Sequence, residues 1–138
     1  MSSGRSDYWY GMIFGKAIFS PFQEPWFEWK KDRIDENDSE TYNLYTVPED
    51  YKLHVGDGSI SCERPGINRF IIFNSVAAED NIMLDITFDT YERLPISNEG
   101  SYIFEAGEKV IARVYNYDPD VYGDFHISLS GFLEYLKI

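Results

Sequence analysis

The sequence predicts an all-β fold, an antiparallel β-sandwich of two sheets with about eight strands. Aromatic residues make up 17% of the chain, and β-branched residues are frequent. This composition suits pleated sheets. From Thr41 onward, short strand-like runs alternate with turn signals, and no window of about eleven residues or more shows helical periodicity. A chain of 138 residues is long enough to build one substantial core.

The clearest strand signal lies in the last third of the chain, between Tyr102 and Tyr135. Apolar and polar residues alternate over 109–115 and 124–135, and again over 82–89. Such alternation is typical of strands that bury one face and expose the other. We therefore expect the apolar members of these strands to be buried between two sheets. They are Ile82, Leu84, Ile86, Phe88, Val110, Ala112, Val114, Phe125, Ile127, Leu129 and Leu133.

Residues 1–40 differ from the rest and predict an extended, aromatic-rich N-terminal arm with an acidic loop, ahead of a β-sandwich domain over residues 41–138. All three tryptophans lie within the first 29 residues, and residues 32–40 are mainly acidic and predict a solvated loop. A large exposed apolar patch is unusual on a monomer, so we expect the arm to contact a protein partner. On this view, deletion of residues 1–29 leaves a folded monomer. The expected interface residues are Tyr8, Trp9, Tyr10, Met12, Phe14, Trp26 and Trp29.

Two separate corners share one pattern, in which a strand ends in a small acidic turn and resumes. They span residues 44–55 and 103–114. Such a pair predicts two Greek-key halves of a jelly roll. Together with the terminal strand over 128–133, these corners resemble small jelly-roll domains of phage and other viral structural proteins, over residues 41–134. The resemblance implies a non-enzymatic virion component, namely a minor capsid, decoration, collar or tail protein. Such a protein assembles with itself or docks on a larger particle, after synthesis in the host cytoplasm.

Charge and cysteine content exclude several classes of protein. The net charge is −12 and the pI is about 4.4, so binding of nucleic acid through phosphate neutralisation is not expected. Cys62 is the only cysteine and cannot form an intrachain disulfide, and its context predicts a small buried apolar group. The N-terminus lacks the pattern of a signal peptide, and no apolar stretch is long enough for a membrane-spanning helix. We therefore expect neither secretion by a signal peptide nor a membrane partner.

The sequence contains no pattern that points to catalysis. His54 and His126 are the only histidines, and both fall at outward strand positions rather than converging on a metal centre. Nucleophile elbows and phosphate-binding loops are absent. We expect neither enzymatic activity nor a cofactor. A hydrolase on the same scaffold is the third hypothesis, and it requires two of the 24 acidic residues to lie close together in a cleft.

Calcium is the better metal candidate. Asp118, Asp120 and Asp124 lie on one loop with Asn116 and Gly123 nearby, and they offer the hard oxygen ligands that calcium prefers. Their spacing departs from that of an EF-hand loop, so an ordinary acidic turn is the favoured interpretation and no metal site is predicted.

A carbohydrate-binding β-sandwich module is the alternative function. Trp9, Trp26 and Trp29, with several tyrosines, offer rings on which a sugar can stack beside acidic acceptors, so a glycan is a possible ligand. The location of the tryptophans distinguishes the two hypotheses. They lie against another chain in an assembly protein, and they line an open groove in a sugar-binding module.

Overall fold

The computed structural model describes residues 22–95 and 102–137, which form two antiparallel sheets. The first sheet contains β1 (Gln23–Ile34), β3 (Tyr51–Cys62), β6 (Tyr91–Arg93), β7 (Tyr102–Phe104) and β9 (Gly123–Tyr135). The second contains β2 (Asp38–Thr46), β4 (Asn68–Asn74), β5 (Ile82–Phe88) and β8 (Lys109–Asn116). A short 3₁₀ turn at Glu79–Asn81 is the single helical element in these ranges. The prediction of an all-β, two-sheet fold is confirmed. Within the described residues, no helix is long and apolar enough to cross a membrane.

The strand order is that of a jelly roll. It is β1-β9-β3-β6 in the first sheet and β2-β8-β4-β5 in the second. Most strands that follow each other along the chain, such as β1 and β2 or β8 and β9, lie in opposite sheets, whereas β4 and β5 pair within the second sheet. The short strands β6 and β7 both pair with β3 and together fill one edge position. This interrupted edge explains why nine strands occur in the described residues where about eight were expected.

The core lies between the two sheets and contains the predicted residues with two exceptions. Leu84, Leu129 and their neighbours are buried, whereas Ile86 is half-buried. Ile82 was expected in the core but is 37% exposed. A register shift between Ile72 and Phe73 pairs Ile82 with Phe73, whose side chain belongs to a cluster outside the main core. The bulge interrupts the alternation that would have turned Ile82 inward.

The expectation of a solvated acidic loop at residues 32–40 is wrong. The first residues of this range end β1 and its last residues begin β2, so the connection is only the turn 35–37. β1 pairs with β9 over its whole length, and Trp26 and Ile34 lie in the core. Residues 23–40 therefore belong to the same two sheets as the rest of the described chain. No break in the sheets occurs at residue 41, and residues 1–21 lie outside the described part.

Two buried asparagines organise one end of the sandwich, where four loops meet. Asn68 and Asn116 are both fully buried. Arg64 contacts the Oδ1 atoms of both side chains, and Asn68 Nδ2 donates to the Asp89 carbonyl at 2.8 Å. Asn116 Nδ2 donates to three further carbonyls, those of Ile34, Asp35 and Val121. We call this the asparagine end, formed by the loops 35–37, 63–67, 89–90 and 117–122.

The opposite end of the sandwich is held by backbone hydrogen bonds. Val47 and Gly107 link the loops 47–50 and 105–108, because Gly107 N donates to the Val47 carbonyl at 2.9 Å. Ser75 N donates to the Lys109 carbonyl at 2.8 Å. This opposite end comprises the loops 47–50, 75–81 and 105–108 together with residues 136–137.

Candidate interaction surface

The outer face of the first sheet is formed by the side chains that the pleat turns away from the core. We call it the first-sheet face. Strand register defines its members, because residues paired across the sheet point to the same side. They are Gln23, Pro25, Phe27, Trp29, Lys31 and Arg33 on β1, Lys52, His54, Asp57, Ser59 and Ser61 on β3, Tyr91 and Arg93 on β6, Ile103 on β7, and Asp124, His126, Ser128, Ser130, Phe132 and Glu134 on β9.

Three aromatic side chains are exposed on this face, namely Phe27 and Trp29 as a pair on β1 and Tyr91, which is 60% exposed, on β6. Phe27 is 73% exposed and Trp29 is 60% exposed. Their partners across the ladder are Ser130 and Ser128, which are too small to cover the rings. The imidazole of His126 meets the Trp29 ring edge-on, with the ring centres 6.0 Å apart. The aromatic pair therefore stands open beside a strip of serine hydroxyls.

The charged groups of the first-sheet face are mostly paired with each other. Arg33 Nε lies 2.8 Å from Asp124 Oδ1, and its hydrogen bond lowers the pKa of Asp124. Arg93 Nε lies 3.1 Å from Asp57 Oδ1 and likewise lowers the pKa of Asp57.

His54 forms a third contact with a carboxylate on the first-sheet face. Its Nε2 lies 2.8 Å from Glu134 Oε1, and its ring stacks on Phe132 with the ring centres 4.4 Å apart. An apolar patch surrounded by paired polar groups is the usual anatomy of a protein interface.

The outer face of the second sheet is closed by the chain itself. Ile71, Phe73 and Ile111 point away from the main core and are nevertheless buried, with Ala77 from the loop 75–81 packed against them. The guanidinium of Arg113 lies over the Phe73 ring, 5.4 Å from its centre. Among the described residues, the exposed aromatic pair therefore belongs to the first sheet alone.

The two described tryptophans of the expected interface have different environments. Trp26 is 6% exposed and lies in the core, edge-on to Tyr45 with the ring centres 5.4 Å apart. Trp29 lies three residues further along the strand, so the pleat places it on the opposite, outer face. Phe27 shares that face and was not identified from the sequence, although its parity with Trp29 was a usable signal. The other expected interface residues lie outside the described part of the chain. These are Tyr8, Trp9, Tyr10, Met12 and Phe14.

The position of Trp26 also changes the expected result of truncation. Deletion of residues 1–29 removes Trp26 and more than half of β1, which pairs with the central strand β9. Such a deletion is expected to unfold the domain instead of leaving a folded monomer. A deletion that ends at residue 21 leaves β1 intact and isolates the contribution of the N-terminal segment.

The candidate calcium loop uses its carboxylates for other purposes. Asp118 Oδ1 accepts hydrogen bonds from the backbone N–H groups of Asp120 and Val121, at 2.8 and 3.0 Å, and the bond from Asp120 contributes most to the lowered pKa of Asp118. Asp124 is held by Arg33. Residues 22–95 and 102–137 contain no group of three or more His, Cys, Asp or Glu side chains placed to hold a metal ion. Asp118 therefore shapes the turn and Asp124 binds Arg33, so two of the three candidate ligands already have partners.

Millimolar calcium is expected to leave the melting temperature of the protein unchanged, since ligands that already have partners gain little from the ion. Thermal unfolding with and without calcium, at matched ionic strength, measures the effect. A rise of several degrees that disappears in the variant Asp118→Asn contradicts this expectation.

The histidines and the cysteine occupy the positions expected from the sequence. His54 and His126 both lie on the first-sheet face, and they stand on opposite parts of it. Cys62 is a free thiol buried in the core, where it packs as a small apolar group.

The fold and this surface define an all-β jelly-roll sandwich with one open sheet face. Comparison with known proteins finds distant likenesses. A chain of the acidic stable capsid structure of Helicobacter pylori bacteriophage KHP30 has a TM-score of 0.45 and 16% identity over 78% of this chain and 92% of that one. A chain of the Bacillus endospore appendages, a family of disulfide-linked pili, has a TM-score of 0.41 and 11% identity over 83% and 92%. The crystal structure of PirA has a TM-score of 0.38 and 10% identity over 83% and 97%.

Structural similarities with TM-scores of 0.38 to 0.45 give no information on the function of the chain. No family model matches the sequence, and no curated protein does either.

Proposed function

We propose that this chain is a non-enzymatic structural protein that assembles with copies of itself through the first-sheet face, as a minor capsid, decoration, collar or tail component of a virion. The observation that carries the proposal is the exposed pair Phe27 and Trp29 on the first-sheet face, which also exposes Tyr91 on β6. Jelly rolls occur in viral capsids but also in lectins and cupins, so the fold alone supports several functions. The exposed aromatic pair favours assembly over the other functions of this fold.

The energetic argument rests on the size of the two rings. Each aromatic side chain can bury about 150–250 Å² in a contact, and aromatic residues dominate the energetics of protein interfaces. The paired charges around them, such as Arg33–Asp124, satisfy each other within the same subunit. A partner can therefore cover the aromatic centre without breaking these ion pairs, and the long side chains of Lys31 and Lys52 can keep their ammonium groups in water at the rim.

Replacement of both aromatic residues by serine, Phe27→Ser with Trp29→Ser, is expected to raise the dissociation constant for self-association at least about a hundredfold, because hot-spot truncations cost about 2 kcal/mol or more each. Sedimentation equilibrium of the full chain measures the change. A matched control replaces two apolar residues at the ends of the sandwich, Ile67 and Val76, which are 70% and 57% exposed. An equal effect of the control and the test variant contradicts the proposed surface, and a wild-type chain that stays monomeric at high concentration contradicts the proposed assembly.

The virion assignment needs its own test. Protein mass spectrometry of purified particles from the organism that encodes the chain is expected to detect it at a fixed ratio to the major capsid protein. Absence from the particles while the chain is abundant in the infected cell argues against a virion component.

A carbohydrate-binding module is the second candidate, because Trp29 stands open beside the hydroxyls of Ser128 and Ser130. An exposed ring flanked by hydrogen-bonding groups is the arrangement that stacks on a sugar. A wild-type chain that is monomeric, is retained on a glycan surface and loses this retention in Trp29→Ser supports the module over the assembly protein.

A further inference from the structure

The charges of the described residues are unevenly distributed over the molecule. The asparagine end carries six acidic residues and one basic residue, and the opposite end carries the same numbers. The first-sheet face instead carries four basic and three acidic residues. The whole chain has a net charge of −12. The first-sheet face is therefore close to neutral on a strongly acidic protein.

This distribution favours one direction of approach for a second copy. Contacts through either end bring like charges together, which opposes association and suppresses such pairings. Contacts through the first-sheet face bring together two surfaces whose positive and negative groups nearly cancel. A face of this kind does not repel a second copy of itself, whereas a strongly basic partner is attracted to the ends.

The size of the face suits a stable contact. Its two longest strands, β3 and β9, have 12 and 13 residues, which corresponds to about 40 Å at about 3.3 Å per residue. Four strand positions about 4.8 Å apart span about 15–20 Å. The resulting area of about 600–800 Å² approaches the roughly 800 Å² per partner that standard interfaces bury.

We infer that two copies of this chain pair through their first-sheet faces around a two-fold axis, with the sheets stacked face to face and the acidic ends kept apart. The inference rests on the proposed function and specifies which surfaces meet. In such a pair the same patch serves both copies, so Phe27 and Trp29 of each contribute to one shared aromatic centre. The serine strip on β9 leaves room for the partner's rings.

Charge reversal on the face tests this pairing. The double variant Lys31→Glu with Lys52→Glu changes the face from one excess positive charge to three excess negative charges. The matched control, Lys109→Glu with Lys137→Glu, gives the same total charge but alters positions outside the face. At low ionic strength the test variant is expected to raise the dissociation constant at least about tenfold more than the control, and this difference is expected to shrink as added salt screens the charges. Equal effects of the two variants overturn the inference.

Cross-linking between labelled copies locates the contact directly. A photoreactive benzoylphenylalanine replaces Phe27 in the full chain, isotopically heavy and light protein are mixed, and the cross-linked peptides are identified by mass spectrometry. The inference predicts mixed-isotope links from position 27 to the outward residues of β1, β3 or β9. The control places the photoreactive residue at Asn43, which is exposed at the edge of the second sheet, and is expected to give no mixed-isotope links.

Three other outcomes overturn the inference and separate it from the proposed function. Mixed links from position 27 to the loops of either end indicate a head-to-tail contact, so assembly stands but the two-fold pairing fails. Links from position 27 to residues 1–21 show that this segment covers the face, and again the pairing fails. A chain that remains monomeric with no mixed links contradicts both the inference and the proposed assembly.

Discussion

Replacing Asn116 with alanine is expected to lower the free energy of unfolding by about 3 kcal/mol or more. The side chain is fully buried, and its amide donates to the carbonyls of Ile34, Asp35 and Val121. Its Oδ1 accepts from the backbone N–H of Asp118 at 3.0 Å. Alanine removes all of these bonds at once. Buried groups that lose their partner cost about 1–3 kcal/mol each, more than the bond itself is worth.

Urea denaturation of the variant and the wild type measures this loss. Asn43→Ala provides the control, because Asn43 is exposed on β2. Its expected change is within about 0.5 kcal/mol, as for most surface substitutions. A loss below about 1 kcal/mol for Asn116→Ala indicates that water replaces the amide, and that the asparagine end does not hold the loops in the way described.

Replacing Gly131 with alanine is expected to destabilise the fold by about 3 kcal/mol or more, or to prevent folding. Gly131 lies in the centre of β9, between Trp26 on β1 and Val55 on β3. A Cβ atom at this position comes within 1.8 Å of the His54 carbonyl oxygen and 3.0 Å of Val55 Cα. Because these are backbone atoms, no change of rotamer relieves the clash. β9 and β3 must separate.

Gly56, which forms a bulge in β3 next to the pair Val55–Gly131, provides the control. Gly56 lies where the register of β3 and β9 shifts, and a Cβ atom there meets nothing within 4 Å. Gly56→Ala is therefore expected to change stability by less than about 1 kcal/mol. Circular dichroism and thermal melts of both variants measure the difference. Two variants of equal stability contradict the close approach of β9 and β3.

The sequence predicted the central strands well because their two faces have different environments. Along β9, every second residue from Phe125 to Leu133 faces the core, and the alternation can be read directly. β1 was not recognised because it lies at the edge of its sheet. Side chains such as Lys30 and Asp32 occupy inward positions there yet remain exposed, so charged residues appear on both faces and the pattern disappears.

The same reasoning explains what could and could not be inferred about the surface. Trp26 and Trp29 were grouped together by composition, but three residues along a strand separate a core position from an outward one. Ile82 was expected to follow the alternation of β5, but a bulge at Met83 of the same strand altered its pairing. The role of Asn116 could not be inferred from its neighbours in the sequence, since Ile34, Asp35 and Arg64 lie 52 to 82 positions away from it. Only the packed fold brings these three residues around the side chain.

Ala77 and Arg113 cover the apolar side chains on the outer face of the second sheet, and this limits the number of partners that one subunit can bind through its sheets. Under the proposed two-fold pairing, a subunit whose described residues offer only the first-sheet face for contact binds one partner, and the pair uses that face completely. Growth through the described residues then terminates at the pair, whose mass is twice 16.1 kDa. A larger particle can grow only if the subunit also makes a second, different contact. The mass of the assembly at high protein concentration therefore tells whether the chain has one contact surface or more than one.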